Sequence, residues 1–167
     1  MDITIRTARA EDALDLHDIL TSPHVVKGTM RLPFMALEST KARLAPDPNR
    51  LQIVAESAGR VVGFAELLTN FDVPRASHAA ELNMVVVDQS VRRSGIARRL
   101  ITSLLEMCDK HFGIHRIALT VWADNGSAIP LYEDLGFAVE GRMRDYVRAD
   151  GSFKDAILMA RFREKVV

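Results

Sequence analysis

The chain has 167 residues, 48% of them hydrophobic, and its 22 basic side chains are balanced by 22 acidic ones. A formal net charge of zero gives no chain-wide attraction to nucleic acid or to an anionic membrane, so we expect neither partner. No apolar run approaches the roughly 20 residues that span a bilayer. The single cysteine, Cys108, cannot form an internal disulfide, which favours a reducing cytoplasm. We expect one domain over residues 1–167.

Hydrophobic periodicity predicts short strands and helices in the first half of the chain. Ile3, Ile5 and Thr7 alternate with polar residues, as in a strand, whereas Pro23 and Gly28 interrupt the helical pattern that precedes them. The predicted elements are strand 3–7, helix 10–20, a loop at 30–34, helix 35–44, a hairpin of 51–56 and 60–68, and a loop at 70–77.

The second half predicts alternating strands and helices and closes with another hairpin. Gly113 and Gly136 stand where the helical patterns stop, and Pro130 falls in the first turn of its helix, where proline is tolerated. The predicted elements are strand 82–87, a helix beginning at Ile96, strand 117–122, a helix beginning near Ser127, and strands 137–148 and 152–162. Together they indicate an α/β (α+β) fold, a mixed six- to seven-stranded central sheet with about four helices.

A basic turn joins the central strand to the long helix that follows it. Gly95 lets the backbone approach a ligand, and the first helical N–H groups lack partners within the helix. Positive charge surrounds this end through Arg92, Arg93, Arg98 and Arg99. Such a turn is also typical of a solvated surface, but Arg92-x-x-Gly95-x-Ala97 resembles the Gln/Arg-x-x-Gly-x-Gly/Ala turn of the GCN5-related N-acetyltransferases (the GNAT family). There the turn binds the pyrophosphate of acetyl-CoA.

A second signature of the same family occupies residues 125–137. The stretch Asn-Gly-Ser-Ala-Ile-Pro-Leu-Tyr-Glu-Asp-Leu-Gly-Phe resembles the family pattern Asn-x-x-Ala-x-x-Leu-Tyr-x-x-x-Gly-Phe, at the expected distance downstream of the first motif. The resemblance spans most of the chain. It implies the GNAT fold, with an antiparallel N-terminal half and a V-shaped parting between two central strands. It also implies acetyl-CoA as co-substrate, and the family commonly forms homodimers.

The resemblance further implies roles for individual residues. The backbone N–H of Val85 is the expected donor to the thioester carbonyl, where it would stabilise the oxyanion, and Tyr132 is the expected acid that protonates the departing thiolate. Asn125 is expected to contact the pantetheine arm, to cap its helix, or both. The full set of expected acetyl-CoA contacts is Val85, Val86, Val87, Arg92, Arg93, Ser94, Gly95, Ile96, Ala97, Arg98, Asn125 and Tyr132.

The base that removes the proton of the amine is left open among three side chains or a water molecule. Glu81 begins the central strand and shares a face with Asn83 and Val85 if no bulge intervenes. His78 lies just upstream with a suitable intrinsic pKa, and Glu66 lies in the preceding strand. Each of the three also suits a structural role at a strand edge. We place Glu81 first.

The amine acceptor is expected to contact the first loop, the loop before the central strand and the final hairpin. The candidates are Arg31, Phe34, Arg75 and His78, with Leu32 and Tyr146 beside them. An arginine beside apolar residues suits an amino acid, because guanidinium binds carboxylate while the apolar wall accepts a side chain. Segments 74–78, 120–125, 144–146 and 155–161 resemble a bacterial L-amino-acid N-acetyltransferase branch. That branch implies direct transfer, in a ternary complex, to the α-amine of a small apolar L-amino acid.

Other readings of the sequence stay open. Within enzymes, the acceptor could be an antibiotic, phosphinothricin or a protein N-terminus. Outside enzymes, the fold could serve as a non-catalytic acyl-CoA-binding module. No metal site is expected, because Gly113 separates His111 from His115 and ends the helix between them. Cys108 falls on the apolar face of its helix, as a core residue would.

Overall fold

The computed structural model describes residues 2–163, whose strands form a mixed seven-stranded sheet of order β1-β2-β3-β4-β5-β7-β6. The strands are β1 (Thr4–Thr7), β2 (Arg50–Ser57), β3 (Arg60–Thr69), β4 (Ala79–Val87), β5 (Arg116–Trp122), β6 (Ala138–Ala149) and β7 (Ser152–Phe162). The α-helices are α1 (Ala13–Leu20), α2 (Pro23–Gly28), α3 (Leu37–Arg43), α4 (Ile96–Met107) and α5 (Ala128–Asp134). This architecture confirms the predicted fold class, with one helix more than expected.

The additional helix is α2, at the position where the sequence predicts a break. Ser22 precedes the helix in an extended conformation, and Pro23 occupies its first turn. A proline there costs nothing, because the first N–H groups of a helix have no partner within the helix. Gly28 is the last residue of α2. The helical pattern does break after Leu20, as predicted, but Pro23 and Gly28 then bound a second, short helix that was not predicted.

The two faces of the sheet are covered by different helices. On one face, Leu16 of α1 packs with Phe64 and Val86 of the sheet. On the other face, Leu100 of α4 packs with Ala65, and the partly buried apolar residues of α5 join the same cluster. We call these two groups the α1 core and the α4 core. Together they fix the positions of the strands that run between them.

The N-terminal half is antiparallel, and the parting expected of the family lies between β4 and β5. These two strands pair in parallel over three residue pairs, from Ala79 with Arg116 to Glu81 with Ala118. Beyond Glu81, β4 pairs with β3 and β5 pairs with β7. The sheet therefore opens into a gap along the later part of β4.

A β-bulge in β4 changes which side chains share a face. Met84 pairs with Glu66 and Leu82 pairs with Leu67, so Asn83 is an extra residue between them. As a result, Leu82 and Val85 both pack toward the α4 core although they are three residues apart. Asn83 instead contacts Glu66 on the opposite face. The sequence predicted that Glu81, Asn83 and Val85 share one face of β4 if no bulge intervenes. Because the bulge is present, Glu81 and Asn83 lie on the face opposite to that of Val85.

The long helix α4 follows its predicted pattern. Its buried residues are Ile96, Leu100, Ile101, Leu104 and Leu105. A π-helical turn, Cys108–Phe112, continues it and ends at Gly113, which adopts a left-handed conformation with φ of 63°. Within residues 2–163, no helix has both the length and the apolar character needed to cross a membrane.

Candidate functional site

Two clefts open beside the parting of the sheet and share part of their walls. The first, here called the Arg31 cleft, has a volume of about 560 Å³, and the second, called the Gly95 cleft, has a volume of about 490 Å³. Val85, Asn125 and Tyr132 line both. The backbone of the parted strand and the phenol of Tyr132 therefore lie where the contents of the two clefts would meet.

The Gly95 cleft is built around the first turn of α4. Gly95 has a φ of 82°, which L-residues rarely adopt, and no atom lies within 4 Å of the position that a Cβ would take. The glycine thus leaves open space in front of the first N–H groups of the helix, where an anion is favoured. Arg92 and Arg93 are exposed beside this space and add positive charge.

The predicted arginines at this helix end do not all serve the cleft in the same way. Arg98 lines it while donating to Asp134 of α5 at 2.9 Å. Arg99 turns away and donates to the carbonyl oxygen of Ile3, at 2.8 Å. Of the predicted acetyl-CoA contacts, Ser94 alone lies outside the walls of both clefts. Its hydroxyl donates back to the carbonyl oxygen of Val91.

The edge of β4 presents backbone groups to the gap. The N–H of Asp88 donates to the carbonyl oxygen of Val62, so Asp88 faces the β3 side. Because backbone groups alternate in direction along a strand, the N–H and C=O of Val85 and Val87 point the other way, into the gap. An edge of this kind can pair with an amide-bearing ligand in place of a strand.

His24 of α2 occupies one position on that edge and was missed by sequence reasoning. Its Nε2 lies 2.9 Å from the carbonyl oxygen of Val87 and must carry the proton, since a carbonyl only accepts. Its Nδ1 lies 3.1 Å from the hydroxyl of Ser22. His24 therefore ties α2, and the loop after it, to the parted strand. No sequence signal could have found it, because α2 itself was not predicted.

Tyr132 lies on α5, half-buried at the junction of the clefts, with its ring edge-on to Phe137 at a centroid distance of 5.8 Å. Burial raises the pKa of Tyr132 to about 12. The phenol is therefore protonated at neutral pH and able to donate a proton. Within the described part of the chain, no group hydrogen-bonds to its hydroxyl oxygen.

Asn125 fixes the start of the helix that carries Tyr132. Its Oδ1 accepts hydrogen bonds from the N–H of Ala128 at 3.1 Å and from the hydroxyl of Ser127 at 3.2 Å. One backbone donor of the first turn is thereby satisfied, as in an N-cap. Asn125 also lines both clefts, which leaves its contact with a ligand as a prediction.

The Arg31 cleft contains a guanidinium that forms no direct ion pair among residues 2–163. Nη1 of Arg31 lies 3.4 Å from the sulfur of Met35, and its buried Nε has no hydrogen-bond partner. Burial, followed by the positive charge of Arg43, lowers the pKa of Arg31, and the negative charge of Glu66 opposes part of this shift. A carboxylate in the cleft would counter both effects, because a nearby negative charge favours the charged guanidinium.

Apolar and aromatic side chains form much of the remaining wall of this cleft. Trp122 stands at the end of β5, and Tyr146 projects from the final hairpin. The loop after α2 adds Met30, Leu32 and Met35 to this apolar part, and polar side chains form the rest of the wall. The cleft thus combines one unpaired cation with a surface suited to an apolar side chain.

The three candidate bases differ in their surroundings. Glu81 is exposed and lines the Arg31 cleft, but its partner Leu68 is three positions from the partner of Val85, so about 10 Å along β4 separates Glu81 from Val85. It would therefore need a water molecule to reach an amine at Val85. Glu66 is 1% exposed and accepts from Arg43, Gln52 and Asn83, at 2.5, 2.7 and 2.6 Å. This network occupies its carboxylate and indicates a structural role.

Three of the four predicted acceptor contacts lie outside the walls of both clefts. Phe34 is fully exposed at a position with φ of 60°, which turns its side chain to solvent. Arg75 lies on the exposed loop before β4. His78 is exposed where β4 and β5 are still together, and its carbonyl oxygen accepts from the N–H groups of His115 and Arg116. Of the four, Arg31 alone lines a cleft.

Cysteine and metal chemistry find no support in the described residues. Cys108 is fully buried, and burial together with the charge of Asp109 raises the pKa of its thiol to about 12. A thiol of that pKa is not a nucleophile at neutral pH. No group of three or more metal-ligating side chains comes together within residues 2–163.

The sequence matches the model of the acetyltransferase (GNAT) family over residues 14–137. It is also 35% identical over 165 residues to the L-amino acid N-acetyltransferase AaaT of Escherichia coli K12, covering 97% of this chain and 99% of that protein.

Solved structures agree with this assignment. A ribosomal-protein-alanine N-acetyltransferase from Brucella melitensis superposes with a TM-score of 0.83 at 26% identity, covering 95% of this chain and 99% of that one. A spermidine N-acetyltransferase from Vibrio cholerae, in complex with CoA and spermine, shares the fold with a TM-score of 0.83 at 22% identity, covering 96% and 95% of the two chains. The chain therefore belongs to the acetyltransferase (GNAT) family, and it is an N-acetyltransferase that takes its acyl group from acetyl-CoA.

Proposed function

We propose that the chain acetylates the α-amine of a small apolar L-amino acid, by direct transfer within a ternary complex. The observation that carries this proposal is the guanidinium of Arg31, which forms no ion pair and shares the cleft wall with apolar and aromatic side chains. Such a guanidinium can bind the α-carboxylate while the apolar wall accepts the side chain. The similarity to an L-amino acid N-acetyltransferase supports the same class of acceptor.

In this proposal the Gly95 cleft holds the acyl donor, whose thioester supplies an activated acetyl group. The N–H groups at the start of α4, together with Arg92 and Arg93, bind the phosphates. The N–H of Val85 points into the gap and donates to the carbonyl oxygen on which negative charge develops. Tyr132 is protonated at neutral pH and donates its proton to the departing sulfur.

The proton of the amine leaves through the Arg31 cleft. Glu81 is the carboxylate that lines this cleft without a hydrogen-bond partner among residues 2–163. Its distance along β4 from Val85 favours transfer through a water molecule. We retain Glu81 as the base on these grounds, and Glu66 as a structural residue. We also infer that residues 1–167 act as one domain, in the cytoplasm and as a homodimer.

Other classes of amine fit less well beside the guanidinium of Arg31. A polyamine would place its own positive charge beside a guanidinium that already lies near Arg43, which is unfavourable in a partly buried site. An amino acid or phosphinothricin brings a carboxylate instead. A protein N-terminus has no α-carboxylate on its first residue, so it would leave Arg31 unpaired.

The test is turnover of acetyl-CoA with a panel of free L-amino acids, phosphinothricin, spermidine and short peptides, for the wild type and for Arg31→Gln. We expect apolar amino acids to be acetylated, and Arg31→Gln to raise their KM by roughly tenfold to 100-fold with little change in the KM for acetyl-CoA. Arg75→Gln is the matched control, because Arg75 is exposed and lines neither cleft. Preferred turnover of spermidine or peptides, with no effect of Arg31→Gln, would contradict the proposal.

A further inference from the structure

Asn83 is the extra residue of the bulge in β4, and it lines the Arg31 cleft. We infer that its side-chain oxygen accepts a hydrogen bond from the acceptor amine and orients that amine toward the acyl group. The inference rests on the proposed function only in placing the amine in the Arg31 cleft. It does not depend on whether the amine belongs to an amino acid.

The orientation of the Asn83 amide is fixed by its neighbour. Nδ2 donates to Oε1 of Glu66 at 2.6 Å, and a carboxylate can only accept. Oδ1 must therefore point away from Glu66. Oε1 of Glu66 also accepts from Arg43, and this charged contact holds the oxygen beside the amide. Among residues 2–163, no donor reaches Oδ1, which leaves a preoriented acceptor at the cleft.

The bulge gives Asn83 a position that a regular strand would not provide. In a bulge, two residues oppose one residue of the partner strand, here Asn83 and Met84 opposite Glu66. Asn83 and Met84 share the position next to that of Val85, so Asn83 lies within about 7 Å of Val85 along the strand, whereas Glu81 lies three partner positions, about 10 Å, away. A side chain of its length can therefore reach an amine that approaches the carbonyl held by Val85, which Glu81 reaches only through water.

The chemistry of an amide oxygen suits orientation rather than proton removal. An amide oxygen is a hydrogen-bond acceptor but too weak a base to take the proton of an amine. A neutral primary amine has two N–H bonds and one lone pair. When one N–H bond is directed at Oδ1, the lone pair is restricted to the directions that remain, which favours a near-attack geometry. Asn83 is thus assigned to substrate contact, and Glu81 keeps the proposed role of base.

The experiment compares Asn83→Leu with Gln52→Met. Both variants remove one donor from Glu66, but Gln52 lines neither cleft, so it reports the structural part of the change alone. With the best acceptor found in the panel, we expect Asn83→Leu to lower kcat/KM for the amine by about tenfold to 100-fold, while the KM for acetyl-CoA is unchanged. Gln52→Met should leave both quantities within about twofold of the wild type.

Equal losses in the two variants, or no loss in a folded Asn83→Leu protein, would overturn the inference. If Asn83→Leu does not fold, Asn83→Ser takes its place, because the shorter hydroxyl can still donate toward Glu66 but does not extend to the amine. The two proposals fail separately. A polyamine or peptide as best acceptor would defeat the amino-acid proposal, whereas the comparison of Asn83 with Gln52 is made with whichever amine is used.

Discussion

The two clefts differ in how the chain builds them. The Gly95 cleft takes its basic wall from one segment, residues 91–98 without Ser94, and the rest from α2, the parted strand and the start of α5. The Arg31 cleft is assembled from α2 and its following loop, α3, β4, β5 and the final hairpin. The first is a local structure with a local sequence pattern, and the second exists only once distant elements have packed. A cleft of the second kind can change its specificity while the first stays the same.

The largest expected effect tests the junction that the two clefts share. Tyr132→Phe removes the proposed proton donor and should lower kcat by about 10²-fold to 10⁴-fold, with little change in the KM for acetyl-CoA. Because burial raises the pKa of Tyr132 to about 12, the phenol stays protonated to roughly pH 10, and its ionisation should not reduce wild-type activity below that pH. The measurement is kcat from pH 6 to pH 10. An unchanged kcat in Tyr132→Phe would remove this residue from the mechanism.

A smaller effect is expected for a substitution at Gly95, which should alter the Gly95 cleft and leave the Arg31 cleft unchanged. Gly95→Ala places a Cβ at a left-handed position and in the space in front of α4, with a strain of about 1–2 kcal/mol. We expect the KM for acetyl-CoA to rise by about tenfold while the KM for the amine changes little. Gly59→Ala is the matched control, since Gly59 has a φ of 76° in the β2–β3 turn and lines neither cleft. A similar rise in KM in both variants would show that strain alone is responsible.

The smallest expected effect tests whether His24 links the two clefts. His24→Leu removes the hydrogen bond to the carbonyl oxygen of Val87, worth about 1 kcal/mol. Because α2 leads into the loop that carries Arg31, we expect the KM to rise by about fivefold for both acetyl-CoA and the amine. His24→Gln keeps an N–H donor and should restore part of the loss. If His24→Leu lowers the free energy of unfolding but changes neither KM, His24 has a structural role only.

The Gly95 cleft was largely predictable from sequence because its residues act from adjacent positions. The left-handed glycine, the first turn of α4 and the basic turn before it lie within one segment, so their spacing carries the information. The position of Tyr132 in the cleft walls was predictable for the same reason, since it belongs to a short signature on one helix. Ser94 was the exception. It lies in the predicted segment, but its hydroxyl is directed to the carbonyl oxygen of Val91, a contact that the spacing of the motif does not reveal.

The Arg31 cleft was predictable only in part, because proximity along the chain is a poor guide to proximity in the fold. Phe34 is three residues from Arg31 yet turns to solvent, and His78 lies on the strand end remote from the gap. Asn83 and His24 were missed for different reasons. The first depends on a bulge, which shifts the alternation of β4, and the second depends on a helix bounded by two residues that usually break helices.

The short contact between β4 and β5 has a consequence for the stability of the whole molecule. Three residue pairs join the two halves of the sheet, so the gap is a seam that the polypeptide does not close by itself. A ligand that pairs with the edge at Val85 acts as a missing strand, and its binding free energy is added to the free energy of unfolding. At a ligand concentration of one hundred times Kd, this linkage amounts to about 2.7 kcal/mol. Occupancy and folding are therefore thermodynamically linked, and the resistance of the chain to heat and proteolysis should follow the supply of its acyl donor.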